Sequence, residues 1–258
     1  MIETKNIKTL GKLVGVLDCF STTDRSLTVS EIADRLGLPR STAHRSILAL
    51  KEVGFLEQDQ TRDEYRLGMR LFQFGTTVLH NMDLQREARP FVEALSSLTG
   101  GNVHLCVFDG ERMVFVERSN GGPTGAQNDT ITMEISPCYC TGVGKATLAF
   151  QPEPVIEKVI TAGLTPYTPH SISNADQLRT ELAEIRARGF AYDLEEHKVN
   201  VRCVAAPIRN TAGKVFAAVS ASGPARLMTD ETLARFAPYV VGHADAISRR
   251  LGHIPSQK

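Results

Sequence analysis

The densest set of residues able to do chemistry is one short stretch, Pro39-Arg40-Ser41-Thr42-Ala43-His44-Arg45-Ser46. Arginines pair with guanine edges or phosphates, and hydroxyls near the positive end of a helix meet phosphate oxygens. If Ala43, Ile47, Leu48 and Leu50 face inward, then Arg40, Ser41, Thr42, His44, Arg45 and Lys51 face outward. An ordinary solvated helix can show the same face, so these residues alone leave two readings open. A second stretch, Pro137 to Lys145, leads from a strand into a helix and carries Gly142 and Gly144. Glycines let a ligand approach the backbone, and a helix start offers free N–H groups to an anion such as a carboxylate. Ser220 and Ser222, two apart, share one strand face. That face is either exposed to solvent or lines a pocket.

Three other chemistries fit less well. Thr141-Gly142-Val143-Gly144-Lys145-Ala146-Thr147 resembles a phosphate loop, but Tyr139 and Ala146 stand where that loop needs glycine and a hydroxyl. Cys138, Cys140 and Cys203 with His197 or His170 lack the two-to-four-residue gaps and second pair of a zinc site. Cys203 with His197 lacks an orienting third residue or an oxyanion hole. No catalytic residue, metal or cofactor is expected.

The surrounding elements decide how the first stretch is read. Leu10, Leu13, Val14, Leu17 and Phe20 recur at the three-and-four spacing of a helical face. Thr28 and Glu31 make a capping box for a short helix that Gly37 ends. Pro39 opens the next helix, which ends at Gly54. Phe55–Leu56 and Tyr65–Leu67 read as a hairpin, a wing whose Arg62 could reach a neighbouring phosphate. In that order the elements make a winged helix-turn-helix that places its second helix in a DNA major groove. Leu71, Phe72, Phe74, Val78 and Leu79 predict a linker helix with more apolar surface than intrachain packing needs, hence pairing between chains. The predicted organisation is a DNA-binding domain over 1–68, a linker helix over 69–82 and a larger domain over 83–258.

That larger part alternates strands and helices. Val103–Phe108 and Met113–Glu117 flank an Asp109-Gly110 turn, and Ile131–Ile135 alternates. Asp176–Arg188 is a helix stopped by Gly189; Phe190–Asp193, Val201–Arg209 and Lys214–Ser222 are strands; Thr229 caps a helix to about Leu251. This is an α+β pattern around an antiparallel sheet.

Lys plus Arg and Asp plus Glu number 29 each, which argues against a sequence-blind nucleic-acid coat but not against a local basic face. The N-terminus lacks a signal-like apolar run, and no stretch nears the roughly 20 apolar residues of a membrane span, so a soluble cytoplasmic protein is expected. Five cysteines do not read as a disulfide framework.

"LTVSEIADRLGLPRSTAHRSILALKEVGFL" with "YRLG", then "SPCYCTGVGKATLA", "LAEIRARGFAYDLEE" and "RCVAAPIRNTAGKVFAAVSASGP", resemble the IclR-type bacterial regulators over nearly the whole chain. The resemblance implies a GAF-like effector domain, operator DNA as partner, dimers or tetramers, and control of catabolic genes. Repression is the expected sign and activation the alternative. It implies that Gly142 and Val143 offer backbone N–H groups to a small-molecule effector, with Asp193, Cys203, Ser220 and Ser222 lining the rest. Together with the glycine-bearing turn it points to a small organic acid. Tyr139 stands where such proteins usually have histidine, Gly142 where alanine is frequent, and Asn200 where glycine is usual.

Overall fold

The structure is a computed structural model that describes residues 3–21, 23–59, 63–80, 83–120 and 135–254. It divides into two compact units, Met1–Asn81 and Met82–Lys258.

The first unit contains α1 (Glu3–Asp18), α2 (Val29–Leu36), α3 (Arg40–Glu52), β1 (Leu56–Asp59), β2 (Glu64–Leu67) and α4 (Met69–His80). The capping box forms as the spacing predicts. The Thr28 N–H donates to Glu31 Oε2 at 2.8 Å and the Glu31 N–H to Thr28 Oγ1 at 3.3 Å. Gly37 ends α2 at φ 60°, which a side chain would resist, and so sets the turn into α3. Val16, Phe20, Ile32, Ile47, Leu50, Leu56 and Tyr65 share one core. Tyr65 also pairs with Leu27, so the wing is tied to the strand-like stretch before α2. Two details differ from expectation. Leu48 is exposed, because Ala43, Ile47 and Leu50 already fill the inner stripe of α3. Leu10 and Val14 are exposed too, since α1 turns Val16 rather than that edge of its apolar face into the core.

The second unit contains α5 (Asp83–Thr99), β3 (Asn102–Phe108), β4 (Arg112–Asn120), β5 (Ile135–Pro137), α6 (Gly142–Leu148), α7 (Glu153–Ala162), α8 (Ala175–Arg188), β6 (Ala191–Leu194), β7 (Val201–Arg209), β8 (Val215–Pro224) and α9 (Asp230–Arg250). The strands form one antiparallel sheet in the order β5-β4-β3-β8-β7-β6. On one face Cys106, Met113, Ala191, Ala205 and Ala218 pack with α6, α7 and α8 through Val143, Leu148, Ile156 and Leu182. Alternation sends Val103, Leu105, Val204, Ala206, Val219 and Ala221 to the other face, all of them buried. That leaves the second face to α5 and α9, which pack on each other and on the strands.

Helices α5 and α7 go beyond the sequence expectations. Pro90 sits inside α5 on its exposed side, where water can satisfy the carbonyl freed by the missing N–H. Of the strand expected over 131–135, residues 131–134 lie outside the described residues and Ile135 opens β5.

Candidate DNA interface and effector site

The α3 surface is built from the inside out. Ala43, Ile47 and Leu50 anchor the helix, which turns Arg40, Ser41, His44 and Arg45 to solvent and leaves Thr42 half-buried. Pro39 occupies the N-cap and supplies no side-chain cap. Its carbonyl takes the N–H groups of Thr42 and Ala43, at 2.8 and 3.1 Å. No acidic residue lies in the first turn, and neither Arg40 nor Arg45 pairs with another described residue. The turn therefore presents uncapped amides and unpaired cations together, which suits phosphate oxygens. Lys51 is not free in this way: it donates to Gln58 Oε1 at 2.6 Å and braces the wing. Arg62 lies outside the described residues. The linker helix is anchored by Glu57, which accepts the Met69 N–H at 3.1 Å, and by Phe55 edge-on to Phe74 at 5.8 Å. Met69, Phe72 and Phe74 nonetheless remain at least half exposed.

In the second unit the register brings distant residues into one row. Asp193 lies opposite Cys203, Cys203 opposite Ser222, and Ser222 opposite Asn102. The neighbouring row carries Ala191, Ala205, Ser220 and His104. Directly paired residues share a face, so Asp193, Cys203, Ser220 and Ser222 all point to the α6 side. Helix α6 meets them at Gly142, where a Cβ would lie 2.5 Å from Cys203 Sγ and 3.7 Å from the Asp193 Cβ. A side chain at this position would require the Cys203 thiol to move aside. Thr141 caps α6 by accepting the Gly144 N–H at 3.2 Å, and Val143 is buried beside it. All six sequence-predicted effector residues thus gather around one patch.

Three residues of this patch were not expected as part of it. His104 faces the same side: its Nδ1 is 3.4 Å from Ser222 Oγ, and its ring stands edge-on to Phe115 at 5.3 Å. Alternation along β3 was the available signal. Lys145, 2 % exposed, donates to Glu196 Oε1 at 2.5 Å and lies 3.6 Å from Glu181. Glu196 belongs to the β6–β7 turn, and no sequence signal joins it to Lys145 across 51 positions. The same turn is fixed by Asp193 Oδ1, which accepts the Glu196 N–H at 2.8 Å. Asn200 completes it at φ 63°, the left-handed backbone in which asparagine replaces glycine with least strain.

Burial pushes the Asp193 carboxyl up to about 7; the Glu196 N–H opposes the shift, and the Glu196 carboxylate adds to it. Burial also raises Glu196, against the pull of Lys145. Cys138 is pushed up to about 12 by burial, and Cys140 and Cys203 are raised for the same reason. These thiols stay protonated at neutral pH and are poor nucleophiles. The Tyr139 hydroxyl donates to the Thr165 carbonyl at 2.7 Å. A cleft of about 470 Å³ lies by this residue, lined by Arg112, Ser136, Val159 and Tyr167 among others, and holds none of the six effector residues.

Comparison with known proteins follows the same division. Residues 9–60 match the family model described as the IclR helix-turn-helix domain. Residues 76–249 match that of the bacterial transcriptional regulator IclR C-terminal domain. The HTH-type transcriptional regulator XynR of Escherichia coli is 30% identical over 248 residues, 96% of this chain and 98% of the relative. The HTH-type transcriptional repressor AllR of Salmonella paratyphi A is 29% identical over 252 residues, 97% and 92% of the two chains. Among solved structures, an IclR homolog from Microbacterium hydrocarbonoxydans complexed with 4-hydroxybenzoate superimposes with a TM-score of 0.73 at 27% identity, covering 94% of this chain and 98% of that one. Among the described residues no helix is long and apolar enough to cross a membrane.

Proposed function

The chain belongs to the IclR family of bacterial transcriptional regulators, DNA-binding proteins rather than enzymes, and from that premise we propose a repressor of catabolic genes whose grip on operator DNA is set by a small organic acid. The observation that carries the DNA half is the first turn of α3, uncapped, without acidic residues and flanked by unpaired Arg40 and Arg45. Arg40 and Arg45 read base edges or phosphates, and Ser41, Thr42 and His44 fix the helix on the backbone.

The effector half rests on the patch of Gly142, Val143, Asp193, Cys203, Ser220 and Ser222, which the sheet register and the close approach of α6 bring together on one sheet face. Similarity to a structure holding 4-hydroxybenzoate, itself a carboxylic acid, supports an acid as ligand. Repression is supported by similarity to AllR, a named repressor. The exposed apolar residues Met69, Phe72 and Phe74, with Leu10 and Val14, suit a second copy of the chain, so the operator-bound form is a dimer or a dimer of dimers. The mechanism is linkage: an acid that binds one state better shifts the population toward it and with it the DNA affinity.

Titrating the full chain against DNA from upstream of its own gene, with random DNA as competitor, tests the DNA half. Selective binding that is lost in Arg40→Ala/Arg45→Ala is expected; equal binding by the double variant contradicts it.

A further inference from the structure

Asp193 is a buried carboxyl that makes no ion pair among the described residues. Lys145 is engaged by Glu196 at 2.5 Å, and Glu181 is held by Arg188 at 2.7 Å with Lys145 further off at 3.6 Å. Two cations therefore already face two carboxylates, and Asp193 makes a third. The groups facing Asp193 come from every element around it. The β6–β7 turn gives the Glu196 carboxylate and the N–H groups of Glu196 and His197. Strand β7 gives the Cys203 thiol, β8 the Ser222 hydroxyl, and β3, beyond Ser222, the His104 ring. Helix α6 gives Gly142 and the Lys145 ammonium, and the turn before it the Cys140 thiol; the Glu181 carboxylate of α8 lies behind, against Lys145. None of the cations makes an ion pair with Asp193 among the described residues.

An acid bound in this patch places a second carboxylate beside Asp193, 6 % exposed, in a region where unpaired charge is costly. Like charges at one site cannot both stay ionised; one of the pair takes a proton. We propose that the effector enters together with one proton, held on Asp193, and that this selects acids with a single carboxylate over dicarboxylates. The proton comes from solvent. Asp193 Oδ1 continues to accept the Glu196 N–H, while the protonated Oδ2 donates to an oxygen of the ligand. A dianion brings a further charge, while Lys145 and Arg188 are already engaged by Glu196 and Glu181. Burial already holds the free Asp193 carboxyl near neutrality, so the proton costs little at ordinary pH. This inference rests on the organic-acid reading of the same patch.

The test is calorimetry on the full chain, with 4-hydroxybenzoate, lactate and pyruvate as probes and malate and oxaloacetate as their dianionic counterparts. Each is run in two buffers of different ionisation enthalpy. Expected is uptake of about one proton per probe bound at about pH 8.5 and almost none at about pH 5.5, with affinity falling about tenfold per pH unit above the Asp193 titration. Malate and oxaloacetate should bind at least about tenfold more weakly than lactate and pyruvate. Asp193→Asn, which keeps an acceptor oxygen and can donate without a titrating proton, should bind the probes with no uptake and no pH slope. Probe binding by the parent without proton uptake at the higher pH overturns the inference and leaves the acid reading standing. Uptake that persists in Asp193→Asn and disappears in His104→Gln also overturns it, assigning the proton to His104. Failure of every probe to bind at both pH values removes the acid reading and this inference with it.

Discussion

Two short helices, each entered through a tight turn, carry the protein's most consequential cations and treat them in opposite ways. Helix α3 leaves Arg40 and Arg45 exposed, with no partner among the described residues, over a first turn that no side chain caps. Helix α6 buries Lys145 to 2 % exposure, caps its own start with Thr141, and pairs the ammonium with Glu196. A cation kept for an external partner is left solvated, where its desolvation is deferred until the partner arrives. A cation kept for the fold is neutralised at once, because a buried unpaired charge is not tolerated. Around α6 that pairing stops at Asp193 of β6, which is where a ligand is proposed.

The comparison breaks most visibly at Lys145. Lys145→Met should cost about 3–5 kcal/mol by stranding Glu196, and Lys145→Met/Glu196→Gln should recover most of it. The midpoint of denaturant unfolding measures both, and an unchanged midpoint in the single variant would show that the ion pair is not structural. Arg40→Ala and Arg45→Ala should do the reverse, losing ~1–3 kcal/mol of DNA affinity each while leaving the unfolding midpoint within about 0.5 kcal/mol of the parent. Anisotropy at two salt concentrations separates a base contact, which relaxes specificity, from a phosphate contact, which lowers the salt slope.

A third test concerns stability against pH. The folded Asp193 holds its proton more tightly than the unfolded chain, at about 7 against 3.8 for a free aspartate side chain. The folded state thus binds more protons between those values, and stability falls as pH rises through that window. Asp193→Asn removes this penalty. It should be more stable than the parent at about pH 8, by on the order of 1–3 kcal/mol, and the gain should vanish toward about pH 4. A gain that is the same at both ends would assign the effect to packing. Smallest of the set, Thr28→Ala removes the capping box of α2 and should cost about 1 kcal/mol in thermal unfolding; no change would mean that Gly37 and the core alone set the helix.

What the sequence makes legible follows from how local each signal is. Thr28, Glu31 and Gly37 act within a few positions, and the turn they define is where the spacing places it. Ser220 and Ser222 share a face by alternation alone. That Cys203 and Asp193 join them on one face depends on strand register, which the residues carried only through a resemblance. The Lys145–Glu196 pair depends on the β6–β7 turn folding over α6, and no local pattern encodes it. Periodicity misplaced Leu48, Leu10 and Val14, because it marks which residues are apolar and not which of them find a neighbour within one chain. Helix α5 shows the converse: the cost of Pro90 inside it is local, whereas the burial of Leu84, Ala88, Val92 and Leu95 that outweighs it is tertiary.

The central claim is that an acid in the α6 patch controls what α3 does on DNA. The direct measurement is the operator affinity of the full chain, by anisotropy, with and without each probe acid, for the parent and for Ser222→Ala. At least one acid should change the parent's DNA affinity by about 5- to 150-fold. Ser222→Ala should need about 5- to 100-fold more of that acid for the same change, with its affinity for DNA unaltered when no acid is present. An operator affinity indifferent to every acid, or a Ser222→Ala response identical to the parent's, would contradict it.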